Sequence, residues 1–162
     1  MSASIVEFPK PARKVEFPSP IRTATGALVT IFGVRLEDPK YQWDHAYRIT
    51  LEVWPEHEVS KRPVTEDDCC IRLEKFVSQI GVSMHRKRPL PFVAVLEGSQ
   101  SHGWYFEIIL NSPDSLPDEI IFQAIHAAWS FDALPDVIHE TSGEDEVRHL
   151  LGRTAFPIIN GK

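Results

Sequence analysis

The sequence predicts an α+β domain of the ferredoxin-like, split βαβ kind: an antiparallel sheet, two helices on one face, and an extra N-terminal strand. Three observations predict it. From Tyr47 to Trp54, apolar Tyr47, Ile49, Leu51 and Val53 alternate with Arg48, Thr50, Glu52 and Trp54, the period of two of a half-wet strand. Pro91 to Leu110, PFVAVLEGSQSHGWYFEIIL, places two apolar runs around a turn region between Gly98 and Gly103, a hairpin signal. Capped helical patterns precede and follow that hairpin, and a short apolar run from Leu134 to His139 completes the order strand, helix, strand, strand, helix, strand.

The first 25 residues carry Pro9, Pro11, Pro18 and Pro20, so residues 1–25 read as a proline-rich tail and residues 26–162 as one domain. The tail contains an echo, because Val6-Glu7-Phe8-Pro9 recurs as Val15-Glu16-Phe17-Pro18. It reads either as a plain leader or as a bivalent ligand for a partner groove, with Lys10, Arg13 and Lys14 between the two units. Ala27 to Val34, ALVTIFGV, is the extra strand, and with Tyr47 to Trp54 it is expected to form a long-loop hairpin at the sheet edge.

Thr65 is the expected N-cap of the first helix, with Glu66, Asp67 and Asp68 favoured by the positive end of the helix dipole. Cys69, Leu73, Phe76, Val77 and Ile80 make its inner stripe, and Gly81 is expected to close it. Arg86-Lys87-Arg88 follows, the densest positive charge in the chain; it reads as a solvated loop or as a phosphate contact. Ser115 is the expected N-cap of the second helix, with Pro117 in its first turn and Ile121, Ala124, Ile125, Ala128 and Trp129 as its stripe. Val147, Leu150 and Leu151, after Glu144-Asp145-Glu146, suggest a short closing helix.

In the hairpin's second strand, Trp104, Phe106, Ile108 and Leu110 share one face, and Tyr105, Glu107 and Ile109 the other. A carboxylate buried there without a partner would be costly, so the Glu107 face is expected to be solvated or liganded. With both helices on the opposite face, it is expected to stay open.

The chain has 162 residues, 43% of them hydrophobic, which fits one domain with a real core. Its net charge of -6 argues against a broadly basic nucleic-acid coat but leaves room for local basic patches. Adjacent Cys69 and Cys70 can form neither a disulfide framework nor a four-ligand zinc site. No apolar run approaches the length of a membrane span, and the expected setting is a reduced cytoplasm.

The succession from about Ala27 to Ala155 resembles the rolling-circle replication initiator and relaxase endonucleases named for a His-hydrophobe-His motif. The likeness rests on Pro91-Phe92-Val93-Ala94-Val95-Leu96-Glu97-Gly98-Ser99 followed by Tyr105-Phe106-Glu107-Ile108-Ile109-Leu110-Asn111-Ser112-Pro113. In that family two imidazoles hold a divalent cation that polarises the scissile phosphate while a helix tyrosine attacks it. Tyr105 and Glu107 stand at the histidine positions, and the closing helix offers His149 where the family carries its tyrosine. The resemblance therefore implies a replication-initiator-like palm domain of plasmid or phage type with a degenerate nicking site. A residual magnesium or manganese site would draw on Glu107, Glu97 and His102. Single-stranded or hairpin DNA would meet Arg86, Lys87, Arg88 and Tyr105.

The element order also resembles that of RNA-recognition domains, and His102-Gly103-Trp104-Tyr105-Phe106 loosely echoes their aromatic strand. That reading requires Trp104 and Phe106 to be exposed for base stacking, whereas Ile108 and Leu110 extend their face without a polar break and predict burial. The chain shows no zinc-hydrolase histidine pair, phosphate loop or nucleophile elbow, although His139 on the last strand is a candidate neighbour of Glu107. The expectation is thus a non-cleaving nucleic-acid-binding domain. Its rivals are a mobile-element regulator or inhibitor that offers Asp67, Asp68, Glu144, Asp145 and Glu146 to a host protein, and a metal-dependent nuclease.

Overall fold

The computed structural model describes residues 17–34, 46–53, 63–86, 88–112, 116–129, 135–140 and 143–156. Among these residues six strands, β1 (Ile21–Arg22), β2 (Leu28–Phe32), β3 (Ala46–Val53), β4 (Phe92–Ser99), β5 (Gly103–Asn111) and β6 (Asp136–Glu140), form one antiparallel sheet in the order β1-β2-β4-β5-β3-β6. Among the described residues three helices accompany them: α1 (Glu66–Ser83), α2 (Asp118–Ala128) and α3 (Gly143–Arg153). Without β1 and β2, the order β4-β5-β3-β6 is that of a ferredoxin-like sheet, with β5 and β3 at its centre.

The extra strand lies at the other end of the sheet from the place expected. β2 pairs with β4, from Leu28 opposite Leu96 to Phe32 opposite Phe92. Both edges of β3 are taken, one by β5 and one by β6, so no hairpin between β2 and β3 can form. The folded unit also begins before residue 26. Ile21 pairs with Val29 across a turn closed by Thr23 N–H donating to the Ala27 carbonyl at 2.9 Å, and Phe17 packs on the core.

Strand alternation creates two apolar layers. Tyr47, Ile49, Leu51, Phe92, Ala94, Phe106, Ile108 and Leu110 pack with Leu73, Phe76 and Ile80 of α1 and Ile121 and Ile125 of α2. On the second face Val29, Val93, Val95 and Ile109 pack with Val147, Leu150 and Leu151 of α3. That face was expected to stay open and is instead partly roofed. Each aliphatic side chain taken from water there contributes about 1.5–3 kcal/mol, which is what holds α3 on the sheet. Among the described residues no helix is long and apolar enough to cross a membrane.

α1 starts where its signals place it, in a capping box: Asp68 N–H donates to Thr65 Oγ1 at 3.2 Å and Thr65 N–H donates to Asp68 Oδ2 at 3.0 Å. Its end differs from expectation. Gly81 is internal and permits a close approach, since a Cβ there would lie 2.7 Å from the Arg88 carbonyl oxygen. The helix closes two residues later in a Schellman motif, with His85 N–H donating to the Val82 carbonyl at 3.0 Å and Arg86 N–H to the Gly81 carbonyl at 2.9 Å. His85 holds the left-handed position at φ 57° that glycine fills without strain. His85→Gly is expected to stabilise the domain by about 0.5–1 kcal/mol, read as a higher urea midpoint; an unchanged or lower midpoint would contradict strain at this cap.

At α2, Ser115 lies outside the described residues and Pro117 itself is the N-cap, without a side-chain cap. Tyr47 ties the helix start to β3 by donating its hydroxyl to Asp118 Oδ1 at 2.8 Å. Burial first, then that bond, raises the Tyr47 hydroxyl well above the ordinary tyrosine pKa.

Candidate functional site

The β4–β5 hairpin fixes the site. Glu97 is directly opposite Tyr105, and Glu107 lies opposite Val95, so all three share the α3 side of the sheet. The connection Gln100–His102 is short, and Gly98 and Gly103 at φ 110° and 91° let the two strands close on it. Tyr105 donates its hydroxyl to Glu97 Oε2 in a very short hydrogen bond.

Arg153, at the end of α3, completes the cluster. Its Nη2 lies 2.9 Å from Glu107 Oε2 and 3.3 Å from Glu97 Oε1, and its Nη1 lies 3.5 Å from Glu107 Oε1. The guanidinium thus bridges two carboxylates on neighbouring strands. The side chains of Glu97 and Glu107 are 22% and 23% exposed and that of Arg153 41%, so the bridge is only partly screened by water. Burial works to lower the Arg153 pKa, but the hydrogen bond and charge of Glu107 and the charge of Glu97 outweigh it, and the net shift is upward. The Tyr105 hydroxyl is pushed up to about 12, first by its bond to Glu97 and then by burial. In this arrangement the phenol is a hydrogen-bond donor to Glu97.

The residues expected to hold a metal are only partly brought together. Glu97 and Glu107 meet around Arg153, whereas His102 stays in the turn, its Nδ1 within 3.2 Å of Ser99 Oγ and 3.0 Å of Ser101 Oγ. Among the described residues no group of three or more His, Cys, Asp or Glu side chains is placed to hold a metal ion. His149 is exposed on α3, one turn before Arg153, while Val147, Leu150 and Leu151 face the sheet. His139 is the register partner of Tyr47, a position in the other layer; the row of Glu107 runs through Thr50 to Asp136. Cys69 is buried and its thiol pushed up to about 12 by burial, the state of a packing residue.

The predicted nucleic-acid residues fall into two places. Arg88 is exposed and Arg86 half-buried in the segment after α1, which leads into the Phe92 end of β4, and Lys87 lies outside the described residues. Tyr105 sits toward the other end of β4, beside Glu97. The aromatic face required for RNA stacking is inside, as the alternation predicts: Phe106 is buried, and Trp104 is half-buried with its indole Nε1 donating to the Val64 carbonyl at 2.8 Å.

A cleft of about 250 Å³ lies beside the cluster, lined by Thr25, Glu66, Glu97, Gly98, Trp104 and Arg153 among others. It is smaller than the roughly 300–1,000 Å³ of ordinary small-molecule sites. Its charges are paired, Glu66 with Arg22 at 2.6 Å and Glu97 with Arg153. Arg153 is the site residue that sequence reasoning missed. Its signal was spacing: on a helix whose Leu150 faces the sheet, residue 153 falls on the same side. No protein-family model, curated protein or solved structure matches the chain.

Proposed function

We propose that this chain is a non-cleaving nucleic-acid-binding domain on the replication-initiator-like scaffold that its sequence resembles, with single-stranded or hairpin DNA as its ligand. The observation that carries the non-cleaving half is the position of Arg153. A guanidinium between Glu97 and Glu107 supplies the positive charge that a divalent cation would otherwise bring, but has no open coordination position for a phosphate oxygen or water. Tyr105 beside it donates its hydroxyl to Glu97, and that bond holds its pKa up. The DNA half rests on the resemblance and on the basic segment of Arg86 and Arg88, which offers phosphate contacts at the sheet end away from the acidic cluster.

Binding of short single-stranded and hairpin DNA, with and without manganese, tests both halves. Wild type is expected to bind at low salt, to be indifferent to manganese and to leave the DNA intact. Arg86→Ala/Arg88→Ala is expected to weaken binding to all sequences alike and to reduce the salt slope by about 1–2. Manganese-dependent cleavage would overturn the non-cleaving reading.

The absence of binding at any salt would favour a protein partner, a reading that the net charge of -6 supports. Its acidic surface is narrower than the sequence suggests. Asp67 and Asp145 are exposed, whereas Asp68 caps α1 and Glu146 approaches Arg48 at 3.7 Å. The side chain of Glu144 lies outside the described residues.

A further inference from the structure

The Phe-Pro end of the second Val-Glu-Phe-Pro copy, Phe17-Pro18, is seated within its own chain. Phe17 packs against the main core, its ring stacked on Phe92 with centroids 6.1 Å apart and an interplanar angle of 26°. Phe92 in turn stacks with Phe32, its register partner on β2, at 6.0 Å and 16°. The seat is thus an aromatic surface on the sheet, filled by a phenylalanine whose following proline is half-buried beside it. Proline holds the residue before it extended, so a Phe-Pro unit arrives with little conformational freedom left to lose.

We propose that this seat is a Phe-Pro binding site for which both copies of the repeat compete in one chain. The alternative occupant is Val6–Pro9, which lies outside the described residues. Two observations carry the proposal. The copies are identical over four residues, so whatever the seat recognises in Phe17-Pro18 is present in Phe8-Pro9. The first copy is also long enough in reach: four residue steps separate Phe17 from Ile21 of β1, and thirteen separate Phe8 from it. At about 3.3–3.6 Å per residue the longer connection spans the same gap easily. Closing the longer loop lowers occupancy by only about sixfold, because closure entropy grows with the logarithm of length. Exchange between the copies moves Lys10, Arg13 and Lys14 from upstream of the seat into the loop between seat and sheet. The site therefore sets where three cations lie, whichever ligand the domain proves to have.

The test is nuclear magnetic resonance on the full chain. Wild type is expected to show ring contacts from Phe92 to Phe17, and Phe17→Ala to show them to Phe8. Exchange protection of the β2–β4 amides should fall no more than about sixfold in Phe17→Ala and stay unchanged in Phe8→Ala. In Phe8→Ala/Phe17→Ala it should fall much further, and a peptide of residues 2–10 should restore it where the peptide carrying Phe8→Ala does not. The β3–β5 amides report that each variant is folded. Equal loss in Phe17→Ala and the double variant would overturn the proposal. So would contacts to Phe8 that arise between differently labelled chains and vanish on dilution, which would assign the seat to a second copy.

Discussion

Gly98→Ala is expected to destabilise the domain by about 4 kcal/mol, whereas Gly103→Ala across the same turn costs about 1–3. Both residues have positive φ, 110° and 91°, so alanine at either is strained by about 1–3 kcal/mol. Only Gly98 adds a collision. A Cβ there would lie 2.1 Å from the Gly103 carbonyl oxygen and 3.0 Å from the Trp104 Cα, while a Cβ on Gly103 meets nothing within 4 Å. The atoms struck are backbone and cannot rotate aside, so the hairpin must open. Overpacking of that kind costs about 1–3 kcal/mol more. The same movement pulls Glu97, the preceding residue, away from Tyr105 and Arg153. Urea denaturation of both variants checks the argument, and equal losses would show that the close approach is not what fixes this turn.

Where the sequence was informative, short-range physics decided the structure. Thr65 and the acidic first turn announce the start of α1 because an N-cap and its dipole partners involve only four consecutive residues. Burial of Phe106, Ile108 and Leu110 follows from period two alone. The partner of β2 was not legible, because Leu28–Phe32 would suit the edge of β3 or of β4 equally well by its own pattern. Closure of β3 by β6, a pairing across more than eighty residues, removed the first choice. The site failed to read through for a related reason. Tyr105, Glu107 and Glu97 were found because two strands joined by a tight turn must align them. Arg153 lies 46 residues after Glu107 and meets it only once α3 has docked on Val93, Val95 and Ile109. Those two valines and the isoleucine were the warning, since an open face would not carry them together.

Removal of the guanidinium should show what the cluster does. Arg153→Met keeps much of the side chain's apolar stem but leaves Glu97 and Glu107 facing each other without a cation. The expected loss is about 1–3 kcal/mol, above that of an exposed ion pair and below that of a fully buried one, as their partial exposure dictates. Glu107→Gln in the Arg153→Met background should recover part of it, because Glu97 then has no second carboxylate to repel it; a double-mutant cycle with no coupling would show that the bridge does not hold α3. The alkaline limb carries an independent sign. The folded-state pKa of Tyr105, about 12, lies above the ordinary value of 10, so its contribution is fully present below about pH 10 and is lost as pH rises toward 12. Tyr105→Phe should remove that part of the alkaline decline and leave the part due to Tyr47, whose hydroxyl is raised by burial and by Asp118. Arg153 pulls the Tyr105 pKa down against the larger upward pull of Glu97. In Arg153→Met, tyrosinate absorbance from Tyr105 should therefore appear at still higher pH than in wild type. A shift the other way would mean that the arginine does not lie against the phenol and carboxylates in solution, and would return the Glu97–Glu107 pair to the list of candidate cation sites.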